Sequence, residues 1–209
     1  MPDVPWRTVV LAVAVVFSAG GCRPSDPAAL GPPVRWTGDD SISADMAPAA
    51  AGETAEVTVD VKSWSDVEQM VAEHAGKVVV VDVWSTWCFP CLEEFPHLVQ
   101  LHRAHTGALA CISVNIDYIG LEEEPPEASR EKVLEFLRTQ EAAFQNVICS
   151  DPEEAVLSTL QIASIPAVLV YDRQGQLRKR FVNDDQQYGD DGFEYQLHIV
   201  PLVEQLLQE

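Results

Sequence analysis

The stretch VVVVDVWSTWCFPCLEEFP, residues 78–96, decides how this chain is read. It opens on a continuous β-branched run, Val78–Val81, which predicts a strand covered on both faces. Cys88 and Cys91 follow at once, two residues apart, where helical spacing begins with Leu92, Phe95, Leu98 and Val99. The pair therefore sits at a strand–helix junction. A helix start offers unpaired N–H groups and roughly half a positive charge, a field that favours a thiolate. Cys-x-x-Cys pairs at such positions have the first thiol's pKa lowered to roughly 3.5–7.5, from about 8.5. Two intervening residues put the second sulfur one turn on, close enough to close a disulfide.

Two bland alternatives compete. Structural zinc takes four ligands, usually from two paired clusters. Cys111 and Cys149 are single and fall in predicted strands, and no second Cys-x-x-Cys exists. No metal and no cofactor are expected. An inert structural disulfide closing so short a ring constrains the unfolded chain very little. A dithiol that opens and closes is the better account of the spacing.

Outward from this stretch, strands alternate with helices. EVTVDV, from Glu56, predicts a strand, and Ser63 or Ser65 caps a helix carrying Val67, Met70 and Val71. ALACISVNI predicts a second buried strand. After an acidic loop, SREKVLEFLRTQ predicts a helix capped by Ser129, and FQNVICS a short strand. DPEEAVLSTLQI predicts a helix capped by Asp151, with Pro152 at its first position. PAVLVYDRQGQLRKRFVN predicts a hairpin turning at Gly175, and a terminal helix is expected over 193–208, interrupted at Pro201. Such alternation implies βαβ crossovers and a parallel core, with the late hairpin as an antiparallel edge. The class is α/β, in three layers, one domain over 56–209.

The N-terminus reads differently. Arg7 precedes an apolar stretch from Thr8 to Phe17, then Ser18-Ala19-Gly20-Gly21 and Cys22. That is the layout of a signal peptide over 1–21, too short to span a bilayer, which takes about 20 apolar residues. Cys22 stands where bacterial lipoproteins carry their lipid, although Ala19 replaces the usual Leu; ordinary cleavage with Cys22 incidental is the alternative. Residues 22–55, rich in Pro, Ala, Gly, Ser and Asp, are read as that anchor and a disordered tether. With 33 acidic against 13 basic residues and a net charge of −20, nucleic acid is excluded as a partner. An extracytoplasmic location permits disulfides. Cys111 and Cys149 are read as buried free thiols, a second disulfide being the alternative.

The stretch also resembles the active-site region of thioredoxins. Trp87 before the first cysteine, Pro90 before the second, Asp82 six residues upstream and Pro96 five residues downstream all match. CLEEFPHL fits the Cys-x-x-Glu-x-Pro-x-Leu pattern of the TlpA/ResA-like branch, which is exported and membrane-tethered. SIPAVLVYDRQGQL resembles the family's cis-proline loop, strand and hairpin, and residues 117–150 resemble that branch's helix–strand insertion. The resemblance implies a thioredoxin fold with a mixed central sheet. It implies Cys88 as the exposed nucleophile, Cys91 as the buried resolving thiol and Asp82 as the group that takes and returns the Cys91 proton. It implies a partner surface of Trp87, Phe89, Pro90, Ile165 and Pro166. Glu94 either modulates Cys91 or simply favours the helix dipole; both stand.

Phe89 departs from the Gly or Glu common there, and residues between the cysteines tune the redox potential. Pro90 matches reducing thioredoxins rather than the DsbA type. The function implied is reduction of disulfides in exported proteins, apocytochrome c among them, with a membrane thiol electron donor and the bilayer as further partners. A disulfide-forming oxidant on the same fold is the alternative. From a different class, a Sco-type copper-binding chaperone is weighed; that family uses Cys-x-x-x-Cys and a distant His, whereas here the spacing is Cys-x-x-Cys and the late histidine is His198.

Overall fold

A computed structural model describes residues 56–183, 187–189 and 192–209. The expected leader, Cys22 and the tether all lie outside these residues. Strand β1 is Asp60–Lys62 and helix α1 Trp64–Glu73; β2 is Val78–Trp84 and α2 Phe89–Ala104; β3 is Leu109–Asn115. A 3-10 turn, Pro126–Ser129, leads into α3, Arg130–Thr139; then come β4, Gln145–Cys149, and α4, Glu153–Leu160. The hairpin is β5, Ala167–Tyr171, and β6, Leu177–Val182; a π turn, Tyr195–Ile199, runs into α5, Val200–Leu206.

The six strands lie in the order β1-β4-β3-β2-β5-β6. β1, β4, β3 and β2 are mutually parallel, and β5 and β6 add on antiparallel. The sheet is mixed and has helices on both faces. Val78, Val80 and Trp84 point to the side where Phe95, Leu98, Leu137 and Ile199 pack. Val79, Val81 and Val83 point to the side of Trp64, Val67, Val156 and Leu160. All seven residues of β2 are buried, which is why its sequence is a near-continuous apolar run rather than an alternation. Trp84, Phe95 and Phe136 close into an aromatic triangle with ring centroids 4.9–5.2 Å apart; each such pair contributes about 0.5–1.5 kcal/mol beyond its buried area.

Several local expectations are corrected. The first strand begins at Asp60 rather than Glu56, because side chains take the earlier carbonyls: Asn146 Nδ2 donates to Thr58 O at 3.0 Å and Arg130 Nη1 to Val59 O at 2.7 Å. Ser63 caps α1 in a reciprocal box with Asp66. Ser129 caps nothing: it is helical, and its hydroxyl donates back to Pro126 O at 3.0 Å. Asp151 does not cap α4, which has Pro152 at its N-cap. Its carboxylate instead accepts from the Trp64 N–H of α1 at 2.7 Å, a cap supplied across 87 residues. At Pro201 the terminal helix continues. A proline ring collides with the carbonyl four residues back in regular α geometry; here that residue, Leu197, lies in the wider π turn.

Asp151→Ala is expected to lower the unfolding free energy by about 1 kcal/mol, the usual cost of a lost cap. Ser129→Ala is expected to change it by less than about 0.5 kcal/mol. Urea unfolding of both variants is the check, and equal losses would show that the cross-chain cap carries no weight.

Candidate redox site at the start of the second helix

β2 ends at Trp84, and three residues carry the chain to Cys88, the N-cap of α2. The short loop is held in place: the Thr86 N–H and hydroxyl donate to the two Asp117 carboxylate oxygens at 2.8 and 2.6 Å, and the Cys88 N–H donates to Ser85 O at 3.3 Å. Cys88 and Cys91 are joined as a disulfide, with Cα atoms 5.3 Å apart. Pro90 lies in the first helical turn, where an N–H would have no helical partner. The sulfurs thus sit over the unpaired amides of a 16-residue helix, the position at which a thiolate is stabilised.

The expectation of an exposed Cys88 is corrected for this oxidised form. Cys88 is 5% exposed and Cys91 4%, so burial does not distinguish them. The flanking residues carry the exposure: Trp87 is 57% and Phe89 68% accessible. Trp87 also lines a groove of about 460 Å³, together with Thr86, Tyr118, Pro125, Pro126 and Lys132 among others. A larger cavity, about 670 Å³, lies beside His102 and Arg103 at the other end of α2 and contains neither cysteine.

Pro166 follows a cis Ile165–Pro166 bond. Because Ala167 pairs with Val83, Pro166 reaches the same end of the sheet as the loop to Cys88. Cys111 and Cys149 are free and buried. They face opposite sides of the sheet, Cys111 toward α2 and Cys149 toward α4. Asn115 is level with Ile148, so Cys149 lies about five residues, roughly 16 Å, further along than Cys111. A bridge between them is sterically excluded, and burial pushes both thiols upward, Cys149 to about 11.

Asp82 shares its strand face with Val80 and Trp84, the face that α2 covers, and is 5% exposed. The Tyr195 hydroxyl donates to Asp82 Oδ2. Burial lifts the Asp82 carboxyl to about 7; the Tyr195 hydrogen bond opposes the rise, and the Glu94 charge adds to it. Glu94 has a second task. Its Oε2 accepts from the Tyr195 N–H at 2.9 Å, and His97 Nδ1 lies 3.3 Å from the same oxygen. Tyr195 was not legible in the sequence. It lies 113 residues from Asp82, and its only signal is a tyrosine on the apolar stripe Tyr195, Ile199, Val203, Leu206. Asp117 was likewise missed, inside a loop whose acidity reads as solvation. His198 turns back on its own segment, with Nδ1 accepting from the Glu194 N–H at 2.9 Å and its ring on Tyr188.

Asp82 makes stability fall as pH rises. Its carboxyl titrates at about 7 folded against 3.8 ordinarily. Between these values the folded chain holds a proton that the unfolded chain has lost, so folding is favoured at the acid end and the advantage is gone above the folded pKa. The full penalty is roughly 4 kcal/mol at most. Asp82→Asn removes it. Relative to the native protein, the variant is expected to gain stability between about pH 4 and pH 7 and to hold that gain above. Denaturant unfolding across this range is the measurement, and a difference independent of pH would contradict the assignment.

Comparisons with known proteins place the chain in a family and support its fold. The profile of the AhpC/TSA family matches residues 47–180. The chain is 25% identical over 117 residues to thioredoxin-like protein YneN of Bacillus subtilis, covering 56% of this chain and 63% of that protein. It is 26% identical over 113 residues to thiol-disulfide oxidoreductase ResA of Geobacillus kaustophilus, covering 54% and 58%. The matched segments thus span less than two thirds of these relatives' own length. A crystal structure of a thiol-disulfide isomerase from Corynebacterium glutamicum superposes with a TM-score of 0.50 at 19% identity, over 74% of this chain and 97% of that one. At that identity the likeness speaks for the fold alone, which is thioredoxin-like. With the family profile covering more than half of its length, the chain belongs to the AhpC/TSA family.

Proposed function

We propose that the protein is a thiol-disulfide oxidoreductase that reduces disulfides of exported proteins through Cys88 and Cys91. The observation that carries this is the Cys88–Cys91 disulfide at the N-cap of α2, with a buried carboxyl, Asp82, on the sheet face below that helix. The names of the relatives, thiol-disulfide oxidoreductase among them, support it. In the reduced protein the Cys88 thiolate, favoured by the helix field, attacks one sulfur of the substrate disulfide. The other sulfur leaves as a thiolate and takes a proton from water. Cys91 gives its proton to the Asp82 carboxylate and attacks the Cys88 sulfur. The second substrate thiolate departs, and the protein is left as the disulfide. The substrate gains two electrons and the cysteine pair loses two. An external dithiol, for which a membrane thiol donor is proposed, must reduce the pair for the next turnover. Trp87, Phe89, Pro90, Ile165 and Pro166 form the surface against which the partner chain lies.

The setting belongs to the same proposal. Arg7, the apolar segment and Cys22 support export and a lipid anchor, with residues 23–55 as tether. Apocytochrome c thiols are the proposed target class within the TlpA/ResA-like branch.

Cys88→Ser is expected to abolish reduction of an insulin disulfide. Cys91→Ser is expected to accumulate a mixed disulfide through Cys88, because its resolving thiol is gone. Peptide mapping of the trapped adduct decides: attachment at Cys111 or Cys149 would sink the proposed roles.

The direction of electron flow rests on the midpoint potential of the pair. A value near that of thioredoxin, about −270 mV, is expected; one near that of DsbA, about −120 mV, would make the protein an oxidant. Equilibration with glutathione or dithiothreitol buffers measures it.

A further inference from the structure

The C-terminal π turn has no part in the cysteine chemistry as so far described, yet it sends a hydroxyl to the one buried acid in β2. We propose that Tyr195, held through its backbone by Glu94, is a positioning residue that keeps Asp82 available as a proton acceptor at neutral pH. This deepens the proposed function and rests on its reading of Asp82.

The geometry is closed on every side. Tyr195 is 1% exposed and donates to Asp82 Oδ2. Its own N–H donates to Glu94 Oε2 at 2.9 Å, which ties the turn to α2. The side chain therefore has little freedom to leave the acid. Asp82 is faced from the C-terminal turn by Tyr195, from α2 by Glu94 and the cysteine pair, and from β3 by Ser113, level with it, and the Cys111 thiol. Its β5 neighbour is Val168, which is apolar. A hydroxyl that donates to a carboxylate stabilises the charged form. Glu94, as a negative charge, does the opposite. Burial favours the protonated form, which cannot accept a proton. The tyrosine opposes that, and the π turn is the device that delivers it: a widened turn in a helix often marks such a functional position.

The two partners thus pull in opposite directions, which a merely structural role would not produce. Tyr195→Phe keeps the ring and removes the donor. The Asp82 carboxyl is then expected to titrate about one to two pH units higher. Glu94→Gln keeps an acceptor for the Tyr195 N–H and removes the charge, so the same carboxyl is expected to titrate lower. Loosened packing would instead admit water and lower both. The measurement is the ¹³C chemical shift of the Asp82 carboxyl against pH in the oxidised full-length protein, where neither active-site cysteine titrates. The resonance is assigned by its loss in Asp82→Asn. Turnover against pH in the same variants is the second readout: the acid limb, set by the ionisation of the carboxyl that must accept the proton, should move up with it in Tyr195→Phe. An unmoved or lowered carboxyl in Tyr195→Phe overturns the role of Tyr195. A constant turnover ratio between Asp82→Asn and the native protein at all pH overturns instead the reading of Asp82 on which it rests.

Discussion

A carboxyl group stands in the middle of a strand that is covered on both faces, and much of the site is arranged around that fact. Asp82 cannot be hydrated where it is, so its ionised form is disfavoured. The environment restrains the penalty without removing it. A tyrosine hydroxyl donates to the acid, a nearby glutamate works against it, and the result is a carboxyl near neutrality. A more generous environment would leave it permanently charged, and a drier one permanently neutral.

The cysteine pair depends on the same strand from the other direction. β2 must end where α2 begins for the helix amides to lie under Cys88. The loop between them is only three residues long and is tied by Thr86 to Asp117, two residues past the end of β3. The parallel pairing of β2 with β3 therefore fixes the site from outside the motif. Pro166 arrives at the same edge because β5 runs antiparallel to β2 with Ala167 opposite Val83. Three separate chain segments thus meet at one end of the sheet.

Burial also explains an asymmetry among the four cysteines of the folded region. Cys111 and Cys149 sit inside strands on opposite faces, without a helix field and without each other. Their thiols are pushed up rather than down. Position at a helix start, and not residue type, separates the reactive pair from the inert one.

Local chemistry was legible in the sequence by itself: the buried β-branched run, the Cys-x-x-Cys at a strand–helix junction, the Ser63 cap, the hairpin at Gly175 and the βαβ alternation. Each is written in a short window, where backbone preference and hydrophobic period act between near neighbours. Cys-x-x-Cys spacing survives any rearrangement elsewhere, and so does an acid six residues before it. Tertiary structure alone decided what lies against what. Asp151 reads as the cap of the helix it precedes, but caps another helix 87 residues away. Ser129 reads as a cap and makes none, because a 3-10 turn already leads into the helix. The tyrosine on Asp82 comes from the last turns of the chain, 113 residues on. A hydrogen bond between distant segments leaves no periodicity, since it depends on where two whole elements pack, and the free energy that sets that packing comes from the apolar core rather than from the pair it brings together.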